Sequence, residues 1–529
     1  MPADRPSPLQ TLADVARRQA EERASAIAFR FEGEETSFAA FEAGARRAAQ
    51  ALLALGVRPG ERVAYLGKNS PRYFQALIAA SKVGAVMTPV NWRLAKPEIA
   101  YILQDAGARV LFVGSEFAAL ASTLLGELPE QRQLIALESA AEGALEYAAL
   151  LAACPEQDVH TPVGWEDPVL QLYTSGTTGR PKGAVLANRA LLAMRERDTQ
   201  GAAPDWSRWS AQDVSLVAMP CFHIGGTGWG LTGLYHGALG VVMREFDPLQ
   251  VLDFIEQHRI SKIFMAPAAM QIVVDQPKAA SVDYSPLKYM LYGASPIPLD
   301  LLKKCMEVFR CGFVQMYGMT ETGGAIVALA PEDHDPGGNE RMRSAGKPLE
   351  GVEIAILDEA GARLPPRQVG EIATRSPGNM SGYWNLPEAT ANTLDCEGWL
   401  RTGDAGYQDE DGYVYVHDRV KDMIISGGEN IYPAEVENAV FGHPAVADVA
   451  VIGVPDQKWG EAVKACVVLN PGAQASEAEL IDWARQRIAG YKCPKSVDFV
   501  AALPRNPSGK ILRRELRAPY WAGQSRGVA

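Results

Sequence analysis

The spacing of hydrophobic positions changes regularly along the first part of the chain. Residues 41–55 carry apolar side chains at helical spacing and stop at Gly56, whereas 62–66 is a short continuous apolar run. Helical spacing returns at 73–83. Strands that alternate with helices are typical of parallel sheets with helices on their faces. The same alternation at 214–313 predicts a second α/β region.

The pattern changes in the last third of the sequence. Residues 343–417 read as short strands separated by turns, which predicts a small β-rich unit. After residue 420 the α/β alternation resumes in a compact form. Ser476 and Glu479 form a capping box that predicts a helix ending at Gly490. We therefore expect an α/β protein with a large N-terminal domain, residues 1–420, and a small α/β C-terminal domain, residues 421–529.

Composition excludes several classes of protein. Hydrophobic residues make up 47% and charged residues 22%, as in soluble globular proteins. With a net charge of −12, the chain lacks the excess of basic residues that is typical of a nucleic-acid-binding protein. The uncharged stretch 221–243 is long enough to span a membrane, but its seven glycines and two histidines favour the wall of a ligand cavity. We expect no transmembrane segment and, without an apolar N-terminal run, a cytoplasmic location.

The strongest chemical signal lies between Tyr173 and Gly183. The apolar run 169–172 predicts a strand that leads into this segment. Glycines let backbone N–H groups close around phosphate oxygens, hydroxyls add donors, and a lysine adds charge. The segment is not a Walker A loop, because Pro181 and Gly183 stand where that pattern needs Gly and Ser or Thr. The candidate phosphate-binding residues are Thr174, Ser175, Gly176, Thr177, Thr178 and Lys182.

Four further segments follow this loop in a fixed order: Tyr317–Thr322, Thr402–Asp404, Asp418–Asn430 and Pro504–Lys510. With them the chain resembles the adenylate-forming superfamily, which includes acyl- and aryl-CoA synthetases, amino-acid adenylation domains and firefly luciferase. The resemblance extends over almost the whole chain. It implies that the β-rich unit is a distorted barrel within the N-terminal domain and that the C-terminal domain is mobile.

The resemblance implies a two-step reaction with ATP, Mg²⁺ and coenzyme A. A carboxylate attacks the α-phosphate of ATP to give an acyl-adenylate and pyrophosphate, and a thiol then displaces AMP. Glu321 would bind Mg²⁺, a hard cation that prefers oxygen ligands, and Thr320 would reach the α-phosphate. The loop already described would hold the β- and γ-phosphates. The adenosine would contact Tyr317, Gly293, Ala294, Asp404 and Arg419.

The same resemblance assigns roles to the C-terminal domain. Lys510, which the turn 506–509 would present, is expected to bridge the carboxylate oxygen and the α-phosphate as charge develops. Lys421 corresponds to the hinge of the family. Rotation about it would bring the residues of a pantetheine tunnel into place, namely Ser426, Gly427 and Gly428.

His223 separates the branches of the family. Amino-acid adenylation domains usually have Asp at this place to bind the substrate's ammonium, and a histidine cannot replace that carboxylate. In CoA synthetases the matching residue gates the carboxylate pocket. The expected acyl pocket is apolar, with Trp229 as a block or floor. Its other residues come from 224–231, 265–270, Pro296 and 323–326, where Gly225, Gly226, Gly228 and Gly230 would leave room.

These observations predict an AMP-forming acyl-CoA synthetase for a hydrophobic carboxylic acid: a medium- or long-chain fatty acid, a steroid side chain or an arylalkanoate. One alternative is an acyl-AMP ligase that loads a carrier protein. Another is a catalytically silent nucleotide-binding homologue, which the presence of Glu321, Asp404 and Lys510 disfavours. Such enzymes are commonly homodimers, although the residues leave the oligomeric state open.

Overall fold

The computed structural model describes residues 9–127, 132–138, 143–174, 180–197, 203–419, 422–426, 429–505 and 511–522. Its first part alternates helices with strands. The elements are α1 (Leu12–Glu22), β1 (Ile27–Phe31), β2 (Glu34–Ser37), α2 (Phe38–Ala54), β3 (Arg62–Leu66), α3 (Pro71–Lys82), β4 (Val86–Pro89), α4 (Lys96–Ala106), β5 (Val110–Val113), α5 (Ala118–Glu127), β6 (Gln133–Ala136), β7 (Leu145–Glu146), α6 (Tyr147–Ala153), β8 (Pro168–Thr174), β9 (Lys182–Ala187) and α7 (Asn188–Arg197).

The middle part repeats this alternation and then changes to antiparallel strands. Its α/β elements are β10 (Val214–Val217), α8 (Ile224–His236), β11 (Leu239–Val242), α9 (Pro248–Gln257), β12 (Lys262–Met265), α10 (Pro267–Val274), β13 (Tyr289–Gly293), α11 (Leu299–Phe309) and β14 (Gly312–Met319). The following elements are β15 (Gly324–Leu329), β16 (Lys347–Pro348), β17 (Glu353–Leu357), β18 (Gly370–Arg375), β19 (Gly382–Tyr383), α12 (Pro387–Thr393), β20 (Trp399–Gln408) and β21 (Val414–Arg419).

The C-terminal part has its own sheet. Its elements are β22 (Ile424–Ser426), β23 (Glu429–Ile431), α13 (Pro433–Phe441), β24 (Val446–Asp456), β25 (Gly460–Leu469), α14 (Glu477–Arg485), β26 (Ser496–Phe499) and α15 (Arg513–Arg517). The apolar faces of this sheet and of α13 and α14 enclose a hydrophobic cluster of their own, around Val436, Val463 and Leu480.

The described strands before residue 420 form three sheets. One runs in the order β16-β15-β14-β13-β12-β10-β11-β1-β2, a second in the order β19-β9-β8-β4-β3-β5-β6-β7, and the β-rich unit is β17-β18-β20-β21. β3 and β5 are buried along their whole length, as expected for parallel strands covered on both faces. The α/β class and the β-rich unit predicted from the sequence are confirmed.

Local rules explain where helices begin. Ser37, Ser70 and Asp247 accept backbone N–H bonds as N-caps of α2, α3 and α9. The capping box of Ser476 is confirmed. The predicted end of that helix at Gly490 is wrong: α14 ends at Arg485, because the chain tightens into a turn in which the N–H of residue 487 bonds the carbonyl of residue 484 at 2.9 Å.

The uncharged stretch 221–243 divides into the short helix α8 and strand β11. Within the described parts of the chain, none of the helices has the length and hydropathy that a membrane span requires.

Candidate active site

The phosphate-loop segment joins the two strands of a β-hairpin. β8 and β9 are antiparallel, and Thr174 pairs with Lys182 across them. The Thr174 hydroxyl lies 3.4 Å from the carbonyl of Lys182, which it can donate to. The predicted loop residues Ser175, Gly176, Thr177 and Thr178 lie outside the described residues. The hairpin register therefore brings the two described members of the set, Thr174 and Lys182, to the base of the loop.

Glu321 lies beside this hairpin although 147 positions separate it from Thr174. It belongs to the single turn Thr320–Thr322 that follows β14, and only 4% of its surface is exposed. The Thr174 hydroxyl donates to its Oε1 at 3.3 Å. Thr320, the other predicted residue of this turn, is partly exposed. The turn thus places a buried carboxylate next to the phosphate-loop hairpin.

A third segment completes this group, and no motif in the sequence predicts it. Residues 376–384, here called the strap, return from the β-rich unit to the second sheet, where Tyr383 pairs with Ala184 of β9. The Tyr383 hydroxyl donates to Glu321 Oε1 at 2.8 Å. The Nζ of Lys182 lies 4.9 Å from the centre of the Tyr383 ring. Tyr383 thus contacts the carboxylate that is expected to bind Mg²⁺ and the ammonium group that is expected to face phosphate.

The strap is fixed by backbone bonds on both sides. The N–H of Met380 donates to the carbonyl of Glu321 at 2.8 Å, and that of Trp384 donates to the carbonyl of Gly183 at 2.8 Å. The Tyr383 N–H donates to the Thr390 hydroxyl at 2.9 Å. The position of the Tyr383 hydroxyl is therefore set by the two segments that it joins.

Tyr317 and Asp404 meet from different sheets. The Tyr317 hydroxyl, on β14, donates to Asp404 Oδ2 on β20 at 2.8 Å. Asp404 is 7% exposed, and its N–H donates to the Thr402 hydroxyl at 3.1 Å. Arg419 pairs with Asp404 along the backbone of β20 and β21, but its side chain lies outside the described part. The pair joins the large sheet to the β-rich unit at one edge of the candidate site.

Gly293 and Ala294 end the neighbouring strand β13. Gly293 pairs with Met316, and a Cβ at position 293 would overlap the Met316 carbonyl oxygen. Ala294 has a φ of +67°, in the left-handed region that L residues rarely adopt. Ala294 is exposed, and the pairing of Gly293 with Met316 brings the end of β13 beside the residue that precedes Tyr317 in sequence. The adenosine contacts predicted for Gly293 and Ala294 stay predictions.

His223 immediately precedes α8. Its ring lies 4.6 Å from that of Phe222, and its Nε2 is buried with no hydrogen-bond partner among the described residues. Burial, and secondarily the positive charge of Arg93, lower the pKa of His223 to about 4. The imidazole is therefore neutral near pH 7, and one buried ring nitrogen is left for a ligand group.

Two family models match this chain. The family model of AMP-binding enzymes matches residues 16–384, and that of the AMP-binding enzyme C-terminal domain matches residues 435–510. The chain belongs to the AMP-binding enzyme family. Its relatives show that it lies in the acyl-CoA synthetase branch of the adenylate-forming superfamily and is an AMP-forming acid–CoA ligase.

Two curated relatives and one solved structure illustrate the likeness. The fatty acid–[acyl-carrier-protein] ligase ScoC of Streptomyces coeruleorubidus is 42% identical over 98% of this chain and 98% of its own length. A feruloyl-CoA synthase from an Amycolatopsis species is 40% identical over 95% of this chain and 98% of its own. The anthranilate CoA ligase AuaEII, solved with anthranoyl-AMP, superposes with a TM-score of 0.89 at 29% identity, over 97% and 98% of the two chains.

In this AMP-binding enzyme the predicted C-terminal residues are mostly outside the described part. Lys421, Gly427, Gly428 and Lys510 fall in that group. Ser426 ends β22, where it pairs with Gly460 of β25. The roles predicted for these residues stay predictions.

Proposed function

We propose that this enzyme activates a hydrophobic carboxylic acid with ATP and then transfers the acyl group to CoA. The acids expected are medium- or long-chain fatty acids, steroid side chains and arylalkanoates. The observation that carries the proposal is the joining of Thr174, Glu321 and Tyr383 at the phosphate-loop hairpin. Hydroxyl, carboxylate and ammonium groups from three distant segments meet there, as a triphosphate and its cation require.

The residues present fit a Mg²⁺ ion bound with ATP. Glu321 supplies a buried carboxylate with oxygen groups beside it, and Mg²⁺ takes one or two carboxylates together with phosphate oxygens. When bound, the ion would neutralise phosphate charge. Tyr383 and Thr174 would hold the Glu321 carboxylate in one orientation, while Lys182 would face the β- and γ-phosphates.

Tyr317 and Asp404 would hold the adenosine. The Asp404 carboxylate can accept bonds from both ribose hydroxyls, and the Tyr317 hydroxyl on its Oδ2 fixes its orientation. The Tyr317 ring and the backbone of Gly293 and Ala294 would then lie along the base. The hydrogen bond between the two side chains supports this arrangement because it keeps the Asp404 carboxylate from rotating into solvent.

The acid would bind beside His223. A neutral ring can donate one hydrogen bond to a carboxylate but has no negative charge to pair with an ammonium, which supports a carboxylic acid over an amino acid. A carboxylate oxygen attacks the α-phosphorus, and pyrophosphate leaves with the electrons of the broken P–O bond. Lys510 would stabilise the charge that develops on the phosphoryl oxygens. The CoA thiol then loses its proton, forms the C–S bond, and AMP leaves.

The C-terminal unit includes the residue directly after Lys421. Asp422 Oδ1 lies 2.8 Å from Arg517 Nη2, and Arg513 Nη2 lies 2.8 Å from Glu437 Oε2. Asp422 is therefore tied to the segment that follows Lys510. A pivot at position 421 would carry Lys510 with it, which supports the hinge hypothesis.

The test separates the two half-reactions. Lys510→Ala should lose acid-dependent pyrophosphate exchange while it still converts preformed acyl-adenylate to acyl-CoA. Lys421→Pro fixes φ and should keep pyrophosphate exchange while losing thioester formation. Equal loss of both half-reactions in Lys510→Ala, or acyl-CoA formation at the normal rate in Lys421→Pro, would contradict these roles.

The second candidate is a ligase that loads a carrier protein, which the similarity to ScoC favours. The acyl acceptor distinguishes the two functions. The wild type is incubated with acid and ATP, and with either CoA or a phosphopantetheinylated carrier protein. Thioester on CoA supports the first proposal, and thioester on the carrier alone supports the second. A cytoplasmic location and a homodimer stay predictions from the sequence.

A further inference from the structure

The helix α4 contacts the chain on both sides of the phosphate loop. Tyr101 and Asp105 are four residues apart in this helix and therefore share one of its faces. The Tyr173 hydroxyl, just before the loop, donates to Asp105 Oδ2 at 2.5 Å. After the loop, the carbonyl of Pro181 accepts from the Tyr101 hydroxyl at 3.4 Å, and the guanidinium carbon of Arg180 lies 5.4 Å from the centre of the Tyr101 ring. One helix face thus contacts both ends of the loop.

The strap reaches the same part of α4. The Nε1 of Trp384 donates to the backbone carbonyl of Asp105 at 2.9 Å, and the backbone N–H of Trp384 bonds Gly183 as already described. Arg62, the first residue of β3, lies over the Trp384 indole, with its guanidinium carbon 3.3 Å from the ring centre. This is a cation–π contact. The strap is therefore attached to α4 and β3 as well as to the hairpin.

Two further hydrogen bonds complete a circle of contacts. Arg62 Nε donates to Gln171 Oε1 at 3.0 Å, and Gln171 Nε2 donates to the Tyr173 hydroxyl at 3.0 Å. Both Arg62 and Gln171 are buried. Residues from β3, β8, α4 and the strap are thus joined in a closed set, here called the clamp: Arg62, Gln171, Tyr173, Asp105 and Trp384.

The hydrogen bonds of the clamp run in one direction. Burial, together with the hydrogen bond to Asp105, raises the pKa of the Tyr173 phenol well above its ordinary value, so the hydroxyl stays protonated and donates to the carboxylate. Burial lowers the pKa of Arg62 to about 10, which leaves the guanidinium charged near pH 7. A guanidinium therefore donates at one end and a carboxylate accepts at the other. Hydrogen bonds that involve charged groups are the stronger ones in proteins.

Gly183 allows the clamp to lie directly against the hairpin backbone. It pairs with Tyr173, and a Cβ at this position would lie 2.7 Å from Gln171 Nε2 and 3.1 Å from Tyr173 Cζ. Thr174 follows Tyr173 in sequence, and Lys182 precedes Gly183. A displacement of the clamp would therefore move the backbone of both residues that are expected to serve the phosphates of ATP.

We propose that the clamp positions the phosphate loop and the strap for ATP activation, and that Asp105 is its central positioning residue. The Asp105 carboxylate acts through the Tyr173 hydroxyl on the start of the loop. The Asp105 carbonyl acts through Trp384 on the strap that carries Tyr383. This role rests on the proposed function, in which the loop holds the β- and γ-phosphates.

The experiment compares the two half-reactions in three variants. Tyr173→Phe removes the hydroxyl and keeps the ring, Asp105→Ala removes the acceptor, and Asp105→Asn keeps one acceptor oxygen. We expect Tyr173→Phe and Asp105→Ala to lower kcat/KM for ATP about tenfold in acid-dependent pyrophosphate exchange, mainly through KM, and Asp105→Asn to lower it about threefold or less. Conversion of preformed acyl-adenylate to acyl-CoA should keep the wild-type rate, because that step uses neither the β- nor the γ-phosphate.

The matched control is Tyr413→Phe, which also removes a hydrogen bond from a phenol to an aspartate, Asp333, at 2.8 Å. It should leave kcat/KM for ATP unchanged. Wild-type exchange kinetics in both Tyr173→Phe and Asp105→Ala would overturn the proposal. Exchange in Asp105→Asn as slow as in Asp105→Ala would also overturn it, as would an equal loss of both half-reactions in these variants.

A wild type without pyrophosphate exchange for any acid would instead overturn the proposed function. The clamp is then tested by the affinity for ATP with Mg²⁺ alone, measured by titration calorimetry. We expect Tyr173→Phe to raise this Kd about tenfold, and an unchanged Kd would overturn the role of the clamp.

Discussion

Tyr383→Phe tests whether the strap orients the carboxylate that serves ATP. The substitution removes the hydroxyl 2.8 Å from Glu321 Oε1 and keeps the ring beneath the Lys182 ammonium. A hydrogen bond to a charged group contributes about 1.5–3 kcal/mol, which corresponds to roughly 10- to 150-fold in rate. Because the bond from Thr174 at 3.3 Å remains, we expect the lower part of this range.

The assay is acid-dependent ATP–pyrophosphate exchange at a series of Mg²⁺ concentrations. We expect Tyr383→Phe to lower kcat/KM for ATP about 10- to 30-fold and to raise the Mg²⁺ concentration needed for half-maximal exchange. Thioester formation from preformed acyl-adenylate should be unchanged, because that step involves neither the β- nor the γ-phosphate.

Tyr413→Phe is a close chemical control. The Tyr413 hydroxyl donates to Asp333 Oδ1, also at 2.8 Å, outside the candidate site. Both variants lose a bond from a phenol to a carboxylate, so both should lower the thermal midpoint, and only Tyr383→Phe should alter exchange. If the two variants show the same exchange kinetics and the same Mg²⁺ requirement, Tyr383 does not orient Glu321 for catalysis.

Three further predictions concern the nucleotide, the acid and the packing of α8. Tyr317→Phe removes the 2.8 Å hydrogen bond to Asp404 and should raise KM for ATP about tenfold in steady-state kinetics. An unchanged KM would show that this hydrogen bond does not contribute to ATP binding. The folded-state pKa of His223, about 4, lies below the ordinary 6.5, so the unfolded chain binds more protons between these values. Stability should therefore fall as pH decreases through this window, and less steeply in His223→Gln; equal slopes would contradict the low pKa. Gly230→Ala should lower the thermal midpoint because the added Cβ would overlap the Phe74 ring. The control is Gly126→Ala, whose Cβ meets nothing within 4 Å and which should leave the thermal midpoint unchanged or raise it.

The sequence predicted the secondary structure where one periodicity persisted over a whole element. The strand at 62–66 agrees with β3, and the helical spacing at 73–83 overlaps α3, Pro71–Lys82. The end of α14 was placed five residues too far, because Gly490 is a plausible helix stop while the chain had already turned at residue 486. Helix ends depend on local backbone geometry that residue type alone does not determine.

From the sequence, we could predict only those residues of the candidate site that stand in the recognised motifs. Glu321 and Asp404 stand in recognisable segments, and the structure places Glu321 beside Thr174 and Asp404 beside Tyr317. Tyr383 was missed because its role depends on a contact 62 positions away. Its sequence signal is a pair of aromatic residues, Tyr383 and Trp384, next to Gly382, which is also typical of an ordinary turn. Likewise, the prediction that four glycines of α8 leave room for the acid is wrong for Gly226 and Gly230, where a Cβ would overlap the Pro220 carbonyl and the Phe74 ring of α3.

The strap has a consequence for changes made outside the site. Residues 376–384 connect the β-rich unit to β9, and backbone N–H groups of this segment bond the carbonyls of Glu321 and Gly183. A substitution or insertion that moves one end of the strap therefore moves the Tyr383 hydroxyl relative to Glu321 Oε1. Variation in the β-rich unit can in this way alter catalysis without changing any residue that is expected to contact ATP.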